Sequence, residues 1–438
     1  MTHVAGVAPD SYRDSGYPSR ILAWTTVILL LSAYAVSLVD RQILSLLIEP
    51  VRRHFEITDT QISLLAGIAF VIFYTLLGLP FGRWADTGNR RNIVVAGMLL
   101  WCVATVCCGL AGNLLTLFLA RMLVGVGEAA LGPSAYSLIA DSFPPGPRAR
   151  AISVYTTGVF LGTGSALVFG AAAVSAASRA AELNLPLVGQ LEGWQTAFVL
   201  VGIPGLLVAA LIALIIREPV RHGQSAGRAP WTTTIRHLGS RGGAPLMLVI
   251  AFALNGLVNY GLITWVPSLF IRQYGWKAAS IGSTYGFILM LAGSAGVLTG
   301  GWLASRKNRA DWPIVISRWA MLAIFVLLLI FGTSSTPVGT LVLLGLLAYL
   351  IGIPAALAPV AIFEITPNEM RGQFSALYLL GATLLGLGFG VTAIAAVKDY
   401  VLAREDALGL AMTIVLALSA LLAHYLLRLA ERRVLSVA

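Results

Sequence analysis

Gly82-Arg-Trp-Ala-Asp86-Thr-Gly88-Asn-Arg90-Arg91 is a short polar block between two apolar runs, at 59–82 and 92–112. Each run, as a helix, is long enough to cross a hydrocarbon core roughly 30 Å thick. The block returns once: Gly301-Trp-Leu-Ala-Ser-Arg-Lys-Asn-Arg309 also follows an apolar run, at an offset of 219, half of the 438 residues. A second pair agrees, because Asp141-Ser-Phe-Pro144 with Arg150 and Ser153 can be laid over Glu364-Ile-Thr-Pro367 with Arg371 and Ser375 at an offset of 223. Two matches near one offset predict a duplicated unit whose copies share one orientation.

Outward from these blocks the chain is 58% hydrophobic and 11% charged, with 45 glycines and a mean hydropathy of +0.86. Soluble domains carry about 25% charged residues, so an ordinary soluble domain is excluded, as are disorder and collagen. The pattern predicts an all-α membrane protein with twelve transmembrane helices, at 21–46, 59–82, 92–112, 115–140, 151–177, 194–216, 245–271, 280–304, 312–332, 338–363, 373–397 and 407–429. The connections and termini on the starting side hold 19 Lys and Arg residues against seven on the other. By the positive-inside bias both termini are then cytoplasmic. The longest connection, 217–243, carries Pro219, Pro230 and five arginines and splits the chain into two sets of six helices. The expected organisation is a cytoplasmic tail 1–20, a six-helix bundle 21–216, a cytoplasmic linker 217–243, a second bundle 244–430 and a tail 431–438. The first apolar run has no small-residue cleavage site after it and is expected to stay as an uncleaved helix.

Other chemistries find little support. Cys102, Cys107 and Cys108 share one apolar stretch and suggest neither a disulfide framework nor a metal site. The net charge of +10 is scattered over loops, not gathered on one face as nucleic-acid binding requires. All three lysines are expected in connections, no histidine cluster has metal-ligand spacing, and no phosphate-binding loop is present. Neither an enzyme nor a cofactor is expected.

The informative residues are the ionisable ones inside the spans, since a charge there needs a partner, a water-filled cavity or a function. Asp40 and Arg41 in helix 1, and Arg121 and Glu128 in helix 4, are four that qualify well. Arg121 and Glu128 are seven residues apart and lie on one helix face, with Gly125 between them and Gly127 beside. They can line one cavity or form a fixed ion pair. Asp40 and Glu128 are read as proton-coupling acids, because burial favours the neutral carboxyl and a neighbouring guanidinium the charged one. Arg41 and Arg121 are candidate ligands for an anionic head group. Asp40 and Arg41 could alternatively lie near the outer membrane surface, and as helix neighbours they point about 100° apart. Asn255 and Asn259, four apart on one face of helix 7, with Tyr260, Tyr155 and Tyr378, complete the substrate-binding candidates. Tyr74 and Tyr285 are further tyrosines able to line such a cavity.

The block at 82–91 resembles the loop signature of the major facilitator superfamily, and Arg121-Met-Leu-Val-Gly125-Val-Gly127-Glu128-Ala resembles that superfamily's helix 4 signature. Asp40-Arg41 ending helix 1, Gly127-Glu128-Ala129, and Ile139-Ala-Asp141-Ser-Phe143 with Arg148 and Arg150 look like its spinster-type branch, which is associated with lysophospholipid and sphingolipid-phosphate transport. The resemblance implies the major facilitator fold, with two bundles around a cavity opening alternately to each side. It also implies a conformational latch at Gly82, Asp86, Arg90, Asp141, Arg150 and Arg371, in which Asp86 meets cations of the other half. In the second copy Ser305 and Lys307 replace Asp86 and Gly88, which argues against a latch there.

The expected function is proton-coupled secondary transport by alternating access, of a lysophospholipid or similar amphipathic lipid, with sodium not excluded as the coupling ion. Small organic anions or drugs are the alternative substrates, and a non-transporting membrane sensor is the alternative of another class. The expected setting is a monomer in the cytoplasmic (inner) membrane, with the bilayer and the substrate as its partners.

Overall fold

The computed structural model describes residues 17–179, 184–185, 189–221, 231–306, 311–367 and 370–435. Among them eleven helices are long and apolar enough to cross a membrane. In chain order they are α1 (Arg20–Phe55), α2 (Asp59–Ala85), α3 (Arg90–Gly109), α4 (Leu114–Ser142), α6 (Gly193–Ile215), α7 (Ala244–Tyr274), α8 (Ala278–Ala304), α9 (Trp312–Phe331), α10 (Pro337–Glu364), α11 (Ala376–Leu402) and α12 (Glu405–Leu435). A further helix, α5 (Pro145–Arg179), lies between α4 and α6. Apart from a two-residue antiparallel pairing at Asn184–Leu185 and Gly189–Gln190, the described residues form no strand. The helix at Trp231–Leu238 lies in the long connection.

Short polar signals end the spans. Asn89 accepts a hydrogen bond from the Asn92 amide and Asn113 from the Thr116 amide, while Thr58 and Gln61 form a reciprocal capping box. Each satisfies an otherwise orphaned helix-end N–H. Most predicted boundaries hold within three residues, but α1, expected to end at residue 46, continues to Phe55. In addition, α5 starts at Pro145 instead of 151, α11 runs on to Leu402, and α12 runs to Leu435 through most of the stretch expected as a tail. Glu56 closes α1 at φ 52°, a left-handed conformation that a side chain rarely adopts. Pro50 lies within α1, so the expectation that Asp40-Arg41 ends the helix is corrected: both lie well inside it. Lys398, expected in a connection, lies in the last turns of α11 and is buried.

The ends of the spans define two faces. The terminal face carries Arg20, Arg90, Ile216 and Leu435; the opposite face carries Phe55, Tyr274 and Leu402. Helices α1 to α6 pack mainly on one another, as do α7 to α12. The two sets meet where residues 59–71 of α2 pack on 382–402 of α11, where α5 packs on residues 278–293 of α8, and where α1 packs on α7. Towards the terminal face, residues 294–304 of α8 pack on α10, and the helical stretch 371–381 that leads into α11 packs on α7 and α10. The sets therefore part towards the terminal face and close towards the opposite one.

Glycines make the closed band possible. A Cβ on Gly286 would sit 2.6 Å from the Gly164 carbonyl oxygen, and one on Gly67 would collide with the Leu387 carbonyl. Helices α2, α8 and α11 widen into π-helical turns at this level, at Leu64–Ile68, Leu289–Gly293 and Ala382–Gly390, the kind of local irregularity often found at functional sites. Because the obstacle at Gly67 is backbone, Gly67→Leu is expected to lower transport about fivefold to a hundredfold, overpacking being worth roughly 1–3 kcal/mol. Transport by vesicles matched for membrane-inserted protein measures this, and an undiminished rate would show that the band tolerates separation.

Candidate functional site

Helix α1 presents Asp40 and Arg41 in different directions. Arg41 turns towards the space between the two sets, where its guanidinium carbon lies 4.9 Å from the Phe70 ring centroid and 4.8 Å from that of Tyr74, both on α2. From α4, Glu128 Oε2 accepts from Arg41 Nε at 2.6 Å, with Nη2 of the same guanidinium 2.6 Å from that oxygen in the ion pair. The Glu128 side chain is fully buried and that of Arg41 is 10% exposed. Glu128 Oε1 has no hydrogen-bond partner. The pair is desolvated, charge-assisted and backed by two aromatic faces, an arrangement that fixes one guanidinium in place.

Asp40 turns the other way, into the packing of α1 against α3 and α4, and is completely buried with neither carboxyl oxygen partnered. Arg121 reaches the same region, where its Nη1 donates to the Asp40 backbone oxygen at 3.1 Å. Arg121 and Glu128 do lie on one buried face of α4, but they do not form the fixed pair that their spacing allowed: Glu128 is taken by Arg41. Gly125 and Gly127 explain how a helix bearing two such residues packs so tightly. A Cβ on Gly125 would lie 3.2 Å from the Phe70 carbonyl carbon, and one on Gly127 2.6 Å from the Gly97 oxygen.

The aromatic candidates divide. Tyr155 is buried between Tyr34, at 5.7 Å between ring centroids, and Tyr136, at 5.3 Å. Tyr34, Tyr74 and Tyr260 are near enough to Arg41 to interact electrostatically with it, so Tyr260 brings α7 to the same site. Tyr378 packs edge-on to Phe252 at 6.4 Å. Tyr285 is buried in the core. Asn255 is buried, and its amide donates to the Ile351 oxygen of α10 at 3.3 Å, so it joins α7 to α10 instead of sharing the site with half-buried Asn259. Asn255 Oδ1 has no hydrogen-bond partner.

At the terminal face Arg90 is fully buried and pairs with Asp141 and, at 2.6 Å, with Glu218, while donating to the Ser137 hydroxyl at 2.9 Å and the Pro219 oxygen at 3.0 Å. Arg221 reaches back to the Ala85 and Gly88 oxygens. All these groups belong to α2 to α4 and the segment after α6. Arg90 and Asp141 therefore brace one set in this conformation. Gly82 has open space about it and Arg150 is exposed. The side chains of Asp86 and Arg371, and the 222–230 part of the linker, lie outside the described residues, as do residues 1–16 and 436–438 of the tails.

A second cluster, which the sequence reading missed, closes the opposite face. Asp59 on α2, fully buried, accepts from Arg272 Nη1 and Nη2 of α7 at 2.6 and 2.7 Å and pairs with Lys398 of α11 at 3.1 Å. Arg272 also donates to Glu49 of α1 at 2.6 Å, Arg52 pairs with Glu405 at 3.0 Å, and Asp399 accepts from the Thr60 amide and hydroxyl at 2.7 and 2.8 Å. Each of these links joins the first set to the second. A cleft of about 530 Å³ rimmed by Arg52, Lys398 and Glu405 lies over it. The only signal in the sequence was Asp59 at a helix start amid residues counted as loop charges.

Among described residues no group of His, Cys, Asp or Glu could hold a metal ion.

The family profile described as Major Facilitator Superfamily matches residues 30–391. An MFS-type efflux pump of Mycolicibacterium smegmatis is 28% identical over 86% of this chain and 86% of that protein. Protein spinster of Drosophila melanogaster is 24% identical, covering 87% of this chain and 65% of that protein. Among solved structures, a bacterial homolog of the human lysosomal transporter spinster, in an inward-facing and unoccupied conformation, matches with a TM-score of 0.75 at 25% identity over 95% of this chain and 97% of that one. A D-xylose-proton symporter shares the fold, with a TM-score of 0.67 at 16% identity over 92% and 97% of the two chains.

Proposed function

Since the chain belongs to the major facilitator superfamily and is a multi-pass membrane transporter related to spinster proteins, we propose that it carries an amphipathic lipid with an anionic head group, of the lysophospholipid class, coupled to protons. The observation that carries this reading is the Arg41–Glu128 pair, buried among aromatic rings between the two sets of helices. While Glu128 is ionised it occupies the Arg41 guanidinium. Protonating Glu128 releases Arg41 to an anionic head group, so that proton and anion enter together and leave together. Asp40 is the second coupling acid, with Arg121 beside it. Tyr155, Asn259, Tyr260 and Tyr378 flank the substrate.

In this reading α5 is the twelfth span, 21–216 and 244–430 are the moving bundles, and 217–243 joins them. The terminal face is cytoplasmic, as the excess of cations there supports, so the open side faces inward and the protein sits in the cytoplasmic membrane as a monomer. The Asp59 cluster is the lock that holds the opposite face shut in this state. Asp86 and Arg371 are the latch residues of the alternate state, with Gly82 and Arg150 at the same ends.

Uptake of a labelled lysophospholipid into vesicles containing the purified protein, with and without a pH gradient, tests the reading. Gradient-dependent uptake is expected, with a loss of about tenfold or more in Arg41→Ala, a hydrogen-bonded charge contact being worth ~1.5–3 kcal/mol. A sodium gradient substituting fully for the pH gradient would reassign the ion. Folded protein that moves no lysolipid would overturn the substrate. A second reading, export of a small organic anion or drug, is favoured by the efflux-pump relative and is separated by the same vesicles with such compounds.

A further inference from the structure

The buried side of Asp40 holds more chemistry than a proton site alone requires. Trp101 and Thr105 are four residues apart on one face of α3 and are both completely buried. The Trp101 indole Nε1 and the Thr105 hydroxyl have no hydrogen-bond partner, and neither has Nε of Arg121. Both α3 side chains are directed at the Asp40 carboxyl as donors, within reach of it but short of full hydrogen-bond geometry. Donors sealed from water are strongly disfavoured when idle, and here they surround a carboxyl whose oxygens are also unpartnered. The other titratable or charged groups facing Asp40 are Arg121 and Glu128 of α4, and Cys102 and Cys108 of α3.

We propose that Trp101 and Thr105 are positioning residues that receive the Asp40 carboxylate when its proton leaves, and so set the pH at which Asp40 releases it. The inference rests on Asp40 being a coupling acid. With the acid neutral, the two donors stand ready. On ionisation the indole N–H and the hydroxyl O–H turn onto the two carboxylate oxygens, with Arg121 supplying the counter-charge. Hydrogen bonds made only to the charged form favour that form, so removing a donor holds the proton on longer.

The test is the pH profile of uptake together with the carboxyl C=O band in infrared difference spectra, the Asp40 band being the one lost in Asp40→Asn. Thr105→Val and Trp101→Phe, which remove the donor and keep most of the volume, are expected to raise the pH midpoint of both signals by about one unit. Thr105→Ser, which restores the hydroxyl, is expected to restore the parent midpoint. A parent midpoint in both Thr105→Val and Trp101→Phe, with Asp40→Asn still altering the profile, overturns the proposal. An unaltered profile and no lost band in Asp40→Asn overturns instead the coupling role of Asp40.

Discussion

Replacing Asp59 by asparagine is expected to open the face that this structure holds shut. Asparagine keeps the size of the side chain but leaves the Arg272 guanidinium and the Lys398 ammonium without their shared counter-charge at a site where Asp59 is fully buried. Removing one partner of a buried pair is worth roughly 3–5 kcal/mol, and about 3 kcal/mol is a hundredfold change in a two-state ratio. Spin labels at the exposed positions Arg53 and Tyr400, one on each set of helices, should report a longer distance as the dominant population, and transport should fall with it. The rim of the same cluster supplies the contrast. Glu405 is 71% exposed, so Glu405→Gln should change the distribution by less than about fivefold, exposed pairs being worth ~0–1 kcal/mol. Equal effects of the two substitutions, or an unchanged distance in Asp59→Asn, would remove the lock from the mechanism.

The second large effect is expected at Glu128. One proton moving down a gradient of one pH unit supplies ~1.36 kcal/mol, enough for about tenfold accumulation of a co-transported anion. Glu128→Gln cannot carry that proton and no longer pins Arg41 by charge. Accumulation should therefore collapse to about onefold, while exchange of labelled for unlabelled substrate across the membrane persists with its pH dependence gone. Accumulation at the parent level with unaltered pH dependence would overturn the assignment of Glu128 as a coupling acid. Loss of both accumulation and exchange would instead return Glu128 to a purely structural pairing with Arg41.

The spans were legible because each is a local property. A run such as 194–216 reads as a helix in a bilayer whatever its neighbours do, since backbone polar groups in hydrocarbon must be satisfied within the segment. The caps Asn89, Asn113 and Thr58 are equally local, each accepting from the amide three residues on. The end of α1 was less legible, because Pro50 and the charged Arg52-Arg53 look like a connection until the tertiary contacts of Glu49 and Arg52 give those residues partners.

Within the candidate site, the sequence by itself determined that Asp40, Arg41, Arg121 and Glu128 needed an explanation, since charge in an apolar run is expensive anywhere along it. It could not determine who pairs with whom. Spacing on one helix brought Arg121 and Glu128 to one face, but the partner of Glu128 comes from α1, 87 residues away. Asn255 and Asn259 likewise shared a face by spacing, and packing gave Asn255 to the Ile351 carbonyl of α10. Only the tertiary structure decided that Asp59, Arg272 and Lys398 form one cluster, because they are ordinary end-of-helix charges until two sets of helices bring α2, α7 and α11 together. Hydropathy and helical period act over a few turns of one chain segment, whereas the pairing of charges is settled by distances of a few ångströms between segments hundreds of residues apart.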